Sequence, residues 1–183
     1  MKPDGLKYYE NFISREQEQQ FIEYLQRSDE WMIPDMGRFK VNREVIQYGY
    51  AYPYNRSIKK IERTTLIPET VPFSEIVAKL QEIEPGFEPE QLIINKYESR
   101  QSIGKHIDHT KFFGPAVACL TLNRPAEMIF RNGKDKYVQP VAPRSLYIMT
   151  GDSRYLWTHE MKRQESNKNR YSLTFRSINQ KEI

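Results

Sequence analysis

Residues 170–176 read Arg-Tyr-Ser-Leu-Thr-Phe-Arg, an alternation of polar and apolar side chains. Side chains of a β-strand point alternately to its two faces, so the pattern predicts a strand whose apolar face carries Tyr171, Leu173 and Phe175. The polar side chains share the other face: Arg170, Ser172, Thr174 and Arg176. If that face meets solvent, its arginines are ordinary surface charges. If it lines the inside of a β-sandwich, both guanidinium groups need anionic partners, because burying an unpaired charge costs several kcal/mol.

The sequence around this strand predicts a mainly β protein of the α+β class. After Pro89, short β-rich runs alternate with turn residues, at positions 92–97, 117–122, 127–131, 137–138, 145–150 and 171–177. Many short strands without helices between them indicate an antiparallel sandwich or barrel. Two helices are predicted earlier in the chain. One follows Ser14, which can form a capping box with Gln17, and the other covers residues 73–83.

Length and composition are typical of one globular domain. The chain has 183 residues, of which 38% are hydrophobic and 28% charged, with a net charge of +4. No apolar run is long enough to span a membrane, and the N-terminus lacks the apolar core of a signal peptide, so we expect a soluble, intracellular protein. The single cysteine, Cys119, lies in an apolar run and is expected to be a buried side chain without a catalytic role.

Two histidines and an aspartate form a candidate metal site. His106 and Asp108 lie two positions apart, so in an extended chain they point to the same side, and His159 can supply a third ligand from another strand. Two histidines and one carboxylate, with open positions left on the ion, are typical of non-haem Fe(II) oxygen chemistry. The tripeptide alone leaves two alternatives open, an ordinary surface motif and a zinc hydrolase with similar ligands.

Asn95 and Tyr97 also share one side of a predicted strand, either as ligand contacts or as ordinary polar positions. In order and spacing, Asn95-x-Tyr97, His106-x-Asp108, His159 and the strand at 170–176 resemble the AlkB family of Fe(II)- and 2-oxoglutarate-dependent dioxygenases. Residues 91–178 carry the resemblance strongly, whereas residues 6–90 share the layout only.

The resemblance implies one domain over residues 1–183, with a double-stranded β-helix (jelly roll) over 91–178 and supporting helices and a nucleotide-recognition lid within 1–90. It implies that His106, Asp108 and His159 hold Fe(II) for a reaction with 2-oxoglutarate and O2. The side chains implied to bind 2-oxoglutarate are Asn95, Tyr97, Arg170, Ser172, Thr174 and Arg176. Among these, Arg170 is implied to bind the distal carboxylate, and Arg176, also counted as catalytic, to lie at the metal-bound end beside Asp108.

Two departures from the family pattern concern the substrate. Arg100 stands five residues after Asn95, where members often carry glycine, so the turn there is expected to differ in shape. Many repair demethylases place a second acidic residue after the metal-ligand aspartate, but residues 109–112 read His-Thr-Lys-Phe. Residues 107–110 and 149–159 are instead similar to the branch that hydroxylates a wobble-uridine side chain in tRNA. Members of that branch usually carry an RNA-binding module and a methyltransferase, for which 183 residues leave no room.

A basic, tyrosine-rich stretch corresponds to the family's lid. Seven basic residues lie within it: Arg38, Lys40, Arg43, Arg56, Lys59, Lys60 and Arg63. Tyr48, Tyr50, Tyr52 and Tyr54 alternate along the same stretch, which predicts that all four share one face suited to base stacking. The alternative is a solvated strand edge. The candidate substrate contacts are Tyr52, Tyr54, Lys59, Lys60, Arg154 and Tyr155.

These features predict an enzyme that demethylates or hydroxylates a modified base, in RNA or tRNA rather than in DNA repair. The expected partner is nucleic acid with a single-stranded or flipped base, and we expect a monomer with no membrane partner. Two rival functions stay open. One is an oxygenase of the same chemistry acting on a protein side chain, and the other is a non-catalytic nucleic-acid-binding module that has kept the fold.

Overall fold

The computed structural model describes residues 1–36, 43–55, 57 and 60–180. Helix α1, Arg15–Arg27, begins with the predicted capping box, in which Ser14 and Gln17 each accept a hydrogen bond from the other's backbone N–H. This satisfies two donors that the start of a helix otherwise leaves unpaired. Helix α2, Phe73–Ile83, has the predicted bounds. A short helix α3, Gly151–Tyr155, is not among the predicted helices.

Strands make up most of the remaining regular structure. In chain order they are β1 Leu6–Tyr9, β2 Glu44–Tyr48, β3 Tyr50–Ala51, β4 Glu62–Arg63, β5 Gln91–Tyr97, β6 Ile103–His106, β7 Phe113–Leu122, β8 Ala126–Asn132, β9 Asp135–Val141, β10 Leu146–Met149, β11 Thr158–Met161 and β12 Arg170–Ile178. Six of them, β5, β7, β8, β9, β10 and β12, coincide with the six predicted runs to within a few residues at each end. The predicted dominance of short strands after Pro89 is therefore confirmed.

Two antiparallel sheets face each other across a cavity. The larger has the strand order β1-β10-β7-β12-β5-β2, and the smaller has the order β6-β11-β8-β9. Residues of both sheets line the cavity between them. This arrangement confirms the predicted mainly β, jelly-roll fold. Within the described residues, no helix combines the length and the apolar composition needed to cross a membrane.

Strand β12 lies in the larger sheet between β5 and β7, and its two faces have different surroundings. Leu173 and Phe175 belong to the main core together with Phe21 of α1 and Phe73 of α2. Each such buried side chain stabilises the fold by about 1.5–3 kcal/mol. The opposite, polar face lines the cavity. The arginines of β12 are therefore inside the sandwich and not on its surface.

The four tyrosines of the predicted stacking face do not lie together. Gly49 separates β2 from β3 with a φ of +78°, and a Cβ there would lie 1.8 Å from a backbone carbonyl oxygen. Tyr48 is consequently buried in the main core, whereas Tyr50 packs in a separate cluster that also contacts Tyr52. The prediction of one shared face is wrong because a glycine with positive φ interrupts the alternation.

Arg100 has a φ of +63°, the left-handed region that favours glycine. We predict that Arg100→Gly stabilises the protein by about 1 kcal/mol, because a side chain in this conformation costs about 1–2 kcal/mol and glycine returns part of that through a freer unfolded chain. The change also removes the ion pair with Glu165, but this pair joins two side chains that are 73% and 75% exposed, so it contributes little. Urea denaturation measures the change.

Arg100→Ala is the matched control for that prediction, since it removes the ion pair with Glu165 and keeps the strained backbone. It should not stabilise the protein. Equal midpoints for the glycine and alanine variants would show that backbone conformation at position 100 does not limit stability.

Candidate active site

The structure brings the three predicted metal ligands into one cluster. His106 ends β6, and His159 lies directly opposite it on β11, with 4.2 Å between the ring centroids. Asp108 follows just beyond the end of β6, and its Oδ1 is 3.8 Å from Nε2 of His106. One donor atom from each residue lies within 4.8 Å of the other two. The three side chains are therefore close enough to serve one ion.

Asp108 is held in its charged form by Arg176. Nη2 of Arg176 donates to Oδ1 of Asp108 at 3.0 Å, and Nη1 donates to Oε1 of Gln91 at 3.1 Å. Burial raises the pKa of Asp108, but the positive charge of Arg176, together with the charges that the two histidines carry when protonated, outweighs burial and holds this pKa well below its usual value. Oδ2 of Asp108 is buried with no hydrogen-bond partner among the described residues. A buried carboxylate oxygen that has no hydrogen bond is suited to bind a metal ion.

Both histidines are suited to donate a lone pair. Nδ1 of His106 lies 2.7 Å from the carbonyl oxygen of Gly104, a contact that requires Nδ1 to carry the proton and leaves Nε2 for the ion. Burial, followed by repulsion from His106 in its protonated form, lowers the pKa of His159 to about 3, so His159 is neutral at pH 7. Two histidine imidazoles and one carboxylate are a donor set that fits Fe(II).

Strands β5 and β12 form the wall that the resemblance implies for 2-oxoglutarate. Nδ2 of Asn95 donates to Oγ of Ser172 at 3.4 Å across the two strands. Arg170 is 2% exposed, lies 5.5 Å over the ring of Tyr97, and donates from Nη2 to Oγ1 of Thr121 at 2.9 Å. Within the described chain, Nε of Arg170 has no partner. The residues are thus grouped as predicted, and their contacts with 2-oxoglutarate stay a prediction.

Cys119 lies on the same wall. Oγ1 of Thr174 donates to its Sγ at 3.7 Å, and both residues line the cavity. Cys119 is buried, as the sequence predicts, and it contributes to the wall of the site rather than to the main core.

The cavity has a volume of about 670 Å³, and Tyr52 and Tyr54 are among the residues that line it. The two rings lie 5.2 Å apart and nearly perpendicular, and Tyr52 also lies 5.7 Å from Phe113. Burial raises the pKa of Tyr54 to about 12. Arg43 reaches over the ring of Tyr54 at 5.9 Å and donates from Nε to Oδ1 of Asn95 at 2.9 Å. The tyrosine-rich stretch therefore borders the metal and cosubstrate region.

Arg154 occupies a buried supporting position and is not among the residues that line the cavity, and its contact with substrate stays a prediction. Its side chain points inward from α3 and is 1% exposed. It donates to the backbone carbonyl of Asp108 at 2.9 Å and to that of Gly114 at 3.2 Å. Arg154 therefore fixes the loop that carries a metal ligand, and buried hydrogen bonds of this kind set the geometry of a site.

The other candidate substrate residues divide between exposed positions and undescribed ones. Tyr155 is 40% exposed and packs on Arg154, outside the cavity lining. Lys60 is also exposed and pairs with Glu62 at 3.0 Å. Lys59 lies outside the described residues, as do Arg38, Lys40 and Arg56. Of the six candidates, Tyr52 and Tyr54 are the ones that the structure places at the cavity.

Sequence reasoning missed two residues of the site. Gln91 holds Arg176 and donates from Nε2 to the carbonyl oxygen of Tyr50 at 3.0 Å. The signal was available, because Gln91 lies four positions before Asn95 and so on the same face of β5. His109 lines the cavity with its ring stacked on Phe112, 3.9 Å between centroids. In the sequence, His109 was noted only as part of residues 109–112, which lack the second acidic residue of many repair demethylases.

Comparison with known proteins gives one family match and several relatives. The sequence matches the 2OG-Fe(II) oxygenase superfamily over residues 5–176. The tRNA (carboxymethyluridine(34)-5-O)-methyltransferase ALKBH8 of Mus musculus is 33% identical over 163 residues, covering 86% of this chain and 24% of the mouse protein. The chain therefore spans about a quarter of that relative. The alpha-ketoglutarate-dependent dioxygenase alkB homolog 4 of Homo sapiens is 23% identical over 211 residues, covering 95% of this chain and 67% of the human protein.

A solved structure of OsALKBH1 has the same fold. Its TM-score is 0.74 at 20% sequence identity, and the match covers 97% of this chain and 98% of that one. The superfamily match and the three-residue metal cluster together confirm the predicted enzyme class and its cofactors, Fe(II), 2-oxoglutarate and O2. The chain belongs to the AlkB family of 2OG-Fe(II) oxygenases.

Proposed function

We propose that this dioxygenase hydroxylates or demethylates a modified base in nucleic acid, with RNA favoured over DNA repair. The observation that carries the proposal is the charge of the cavity. Among the described residues that line it, six basic side chains face one carboxylate, that of Asp108: Arg43, Arg100, Lys105, Arg163, Arg170 and Arg176. Such an excess of positive charge favours a polyanionic substrate.

Three of these cations are candidates for phosphate contacts. Arg100 pairs with Glu165, and Arg176 pairs with Asp108. Arg170 is implied by the family resemblance to bind 2-oxoglutarate. Within the described chain, the remaining three have no carboxylate at ion-pair distance: Arg43, Lys105 and Arg163. Their position around the cavity suits a nucleic-acid backbone whose target base enters the site.

Aromatic side chains support the same proposal. Tyr52 and Tyr54 offer faces on which a base can stack, an interaction worth about 1–3 kcal/mol for any base. A base reaches the metal cluster only if it is single-stranded or flipped out of a duplex. His106, Asp108 and His159 would hold the Fe(II), which would supply, with 2-oxoglutarate and O2, the oxidation of a substrate carbon, with succinate and CO2 as coproducts. The protein orients the base and excludes water, while Arg154 and Arg176 keep the ligand loop and Asp108 in place.

The target base is expected to be neutral or anionic. A base that carries a positive charge, as some N-methylated bases do, would enter a cavity of six cations whose single lining carboxylate is held by Arg176. The acidic residue that many repair demethylases place after the metal-ligand aspartate is also missing, since residues 109–112 read His-Thr-Lys-Phe. The name of the mouse relative refers to a modified uridine in tRNA, which supports RNA as the first substrate to test.

The test is a panel of modified tRNA, mRNA-like and DNA oligonucleotides, incubated with the iron-loaded protein, ascorbate and 2-oxoglutarate. Nucleoside mass spectrometry should show an oxidised or demethylated base in RNA, with neutral bases preferred. His159→Ala protein is the control for adventitious oxidation. Unaltered nucleosides together with hydroxylation of a peptide side chain would favour the protein-substrate alternative. Iron-dependent succinate release would exclude a non-catalytic binding module.

Substitutions of charged residues and of aromatic residues in the cavity lining should affect RNA binding and turnover differently. We expect the double variant Lys105→Glu, Arg163→Glu to bind every single-stranded RNA more weakly and to lower the slope of log affinity against log salt, by about 0.7 for each phosphate that the protein no longer neutralises. Filter binding over a salt series measures both quantities. The double variant Lys134→Glu, Lys136→Glu is the control, because both lysines are exposed on the β8–β9 hairpin, lie outside the cavity lining and give the same charge change.

Tyr52→Ala provides the contrast to that double variant. It should reduce turnover of the modified base by about 10- to 100-fold, the loss expected for one stacking contact, with a smaller effect on overall affinity. Normal processing of RNA by the tyrosine and the charge variants alike, or salt-independent binding by the wild type, would contradict this substrate assignment.

A further inference from the structure

Arg124 is a buried guanidinium whose charge no described residue balances. It lies in the turn between β7 and β8, where its backbone N–H donates to the carbonyl oxygen of Leu122 at 2.8 Å. The residue is 6% exposed, and its Nε, Nη1 and Nη2 all lack a hydrogen-bond partner in the part of the chain that the structure describes. A charge buried in this way is costly unless a ligand brings the opposite charge.

The neighbour of Arg124 is the arginine implied to bind 2-oxoglutarate. The register of β7 and β12 places Leu122 opposite Tyr171, so the turn that carries Arg124 lies beside the start of β12, where Arg170 stands. Burial and then the charge of Arg170 lower the pKa of Arg124. The two guanidinium groups therefore repel each other.

We propose that Arg124 is a positioning residue for the distal carboxylate of 2-oxoglutarate, acting through Arg170. Arg124 does not line the cavity, so its effect is electrostatic and not a direct contact with the metal-bound end. A carboxylate on Arg170 places negative charge next to both guanidinium groups and relieves their repulsion. The inference depends on the family's cosubstrate and not on the nucleic-acid substrate, so the two can fail separately.

The test uses Arg124→Met in the 183-residue chain loaded with Mn(II), without O2. Calorimetry should show an affinity for 2-oxoglutarate about tenfold weaker than that of the wild type, because one nearby positive charge is gone. The melting temperature without 2-oxoglutarate should rise by about 2–4 °C, because an uncompensated buried charge is gone. A merely structural arginine would move the melting temperature in the opposite direction. Arg124→Lys keeps the charge and should retain most of the affinity.

Oxalate is the matched ligand, because it can chelate the metal but has no distal carboxylate, and its affinity should not change. Arg131→Met is the matched variant. Arg131 is 35% exposed on β8 and pairs with Glu160 at 3.0 Å, so its loss should change neither affinity. An unchanged affinity for 2-oxoglutarate in Arg124→Met would overturn the proposal. An equal loss of oxalate binding together with a lower melting temperature would overturn it as well, and would make Arg124 a structural residue.

Discussion

Replacing His159 by alanine is expected to reduce iron-dependent succinate release by at least about a hundredfold and to leave the fold intact. The variant loses one of three ligands, and even changes outside the ligand shell cost about 10- to 100-fold at metal sites. No described residue bonds to Nδ1 of His159, so its removal breaks no polar contact at that atom. His106→Ala should behave alike, since the side chain of His106 is 32% exposed. The iron content of the purified variant measures the loss of the metal, and circular dichroism checks that the fold is intact.

Asp108 should differ from the two histidines in its effect on stability. Asp108→Ala leaves Arg176 buried without its carboxylate, and a loss of this kind costs about 3–5 kcal/mol. Asp108→Asn keeps an oxygen that Arg176 can bond, so its urea midpoint should lie nearer the wild type although turnover is lost. Iron-dependent succinate release that survived in all of these variants would contradict the metal assignment.

Most of what could be predicted about the fold, and about the wall implied to bind 2-oxoglutarate, came from the alternation of polar and apolar residues in β12. Leu173 and Phe175 had to face a core, and the polar face then had either solvent or a cavity opposite it. Sequence alone left that choice open, because a strand looks the same whether its polar face meets water or a second sheet. The metal motif favoured the cavity, and the position of Arg176, 3.0 Å from Asp108, confirms it.

The sequence did not predict features that depend on side-chain direction in turns and short helices, or on contacts between residues distant in the chain. The two strands that bring the histidines together, β6 and β11, are four residues each and carry no apolar run, so no periodicity marks them. The sequence made Arg154 a candidate substrate contact, whereas in the structure its side chain points from α3 towards the Asp108 loop. No sequence pattern marks Arg124, because its burial without a hydrogen-bond partner among the described residues is visible only in the structure. The domain division at residue 90 stays a prediction.

Arg170→Ala is expected to raise the 2-oxoglutarate concentration needed for half-maximal turnover by at least about a hundredfold. A charge-assisted hydrogen bond contributes about 1.5–3 kcal/mol, and a bidentate contact supplies two. Arg170 is buried over Tyr97 and oriented by Thr121, so its guanidinium is already fixed where the implied carboxylate lies. Arg170→Lys should recover only part of the loss, because lysine restores the charge without the planar fork. The measurement is succinate release as 2-oxoglutarate is titrated.

Arg131→Ala again serves as the control for the Arg170 variants, since it removes a paired arginine outside the cavity and should leave the 2-oxoglutarate requirement unchanged. Thr121→Val tests the orientation separately. It removes the acceptor of Nη2 and keeps the charge of Arg170, so its effect should be smaller than that of Arg170→Ala. A normal 2-oxoglutarate requirement in both Arg170 variants would mean that another group binds the distal carboxylate. The repulsion between Arg170 and Arg124 would then need a different anion to relieve it.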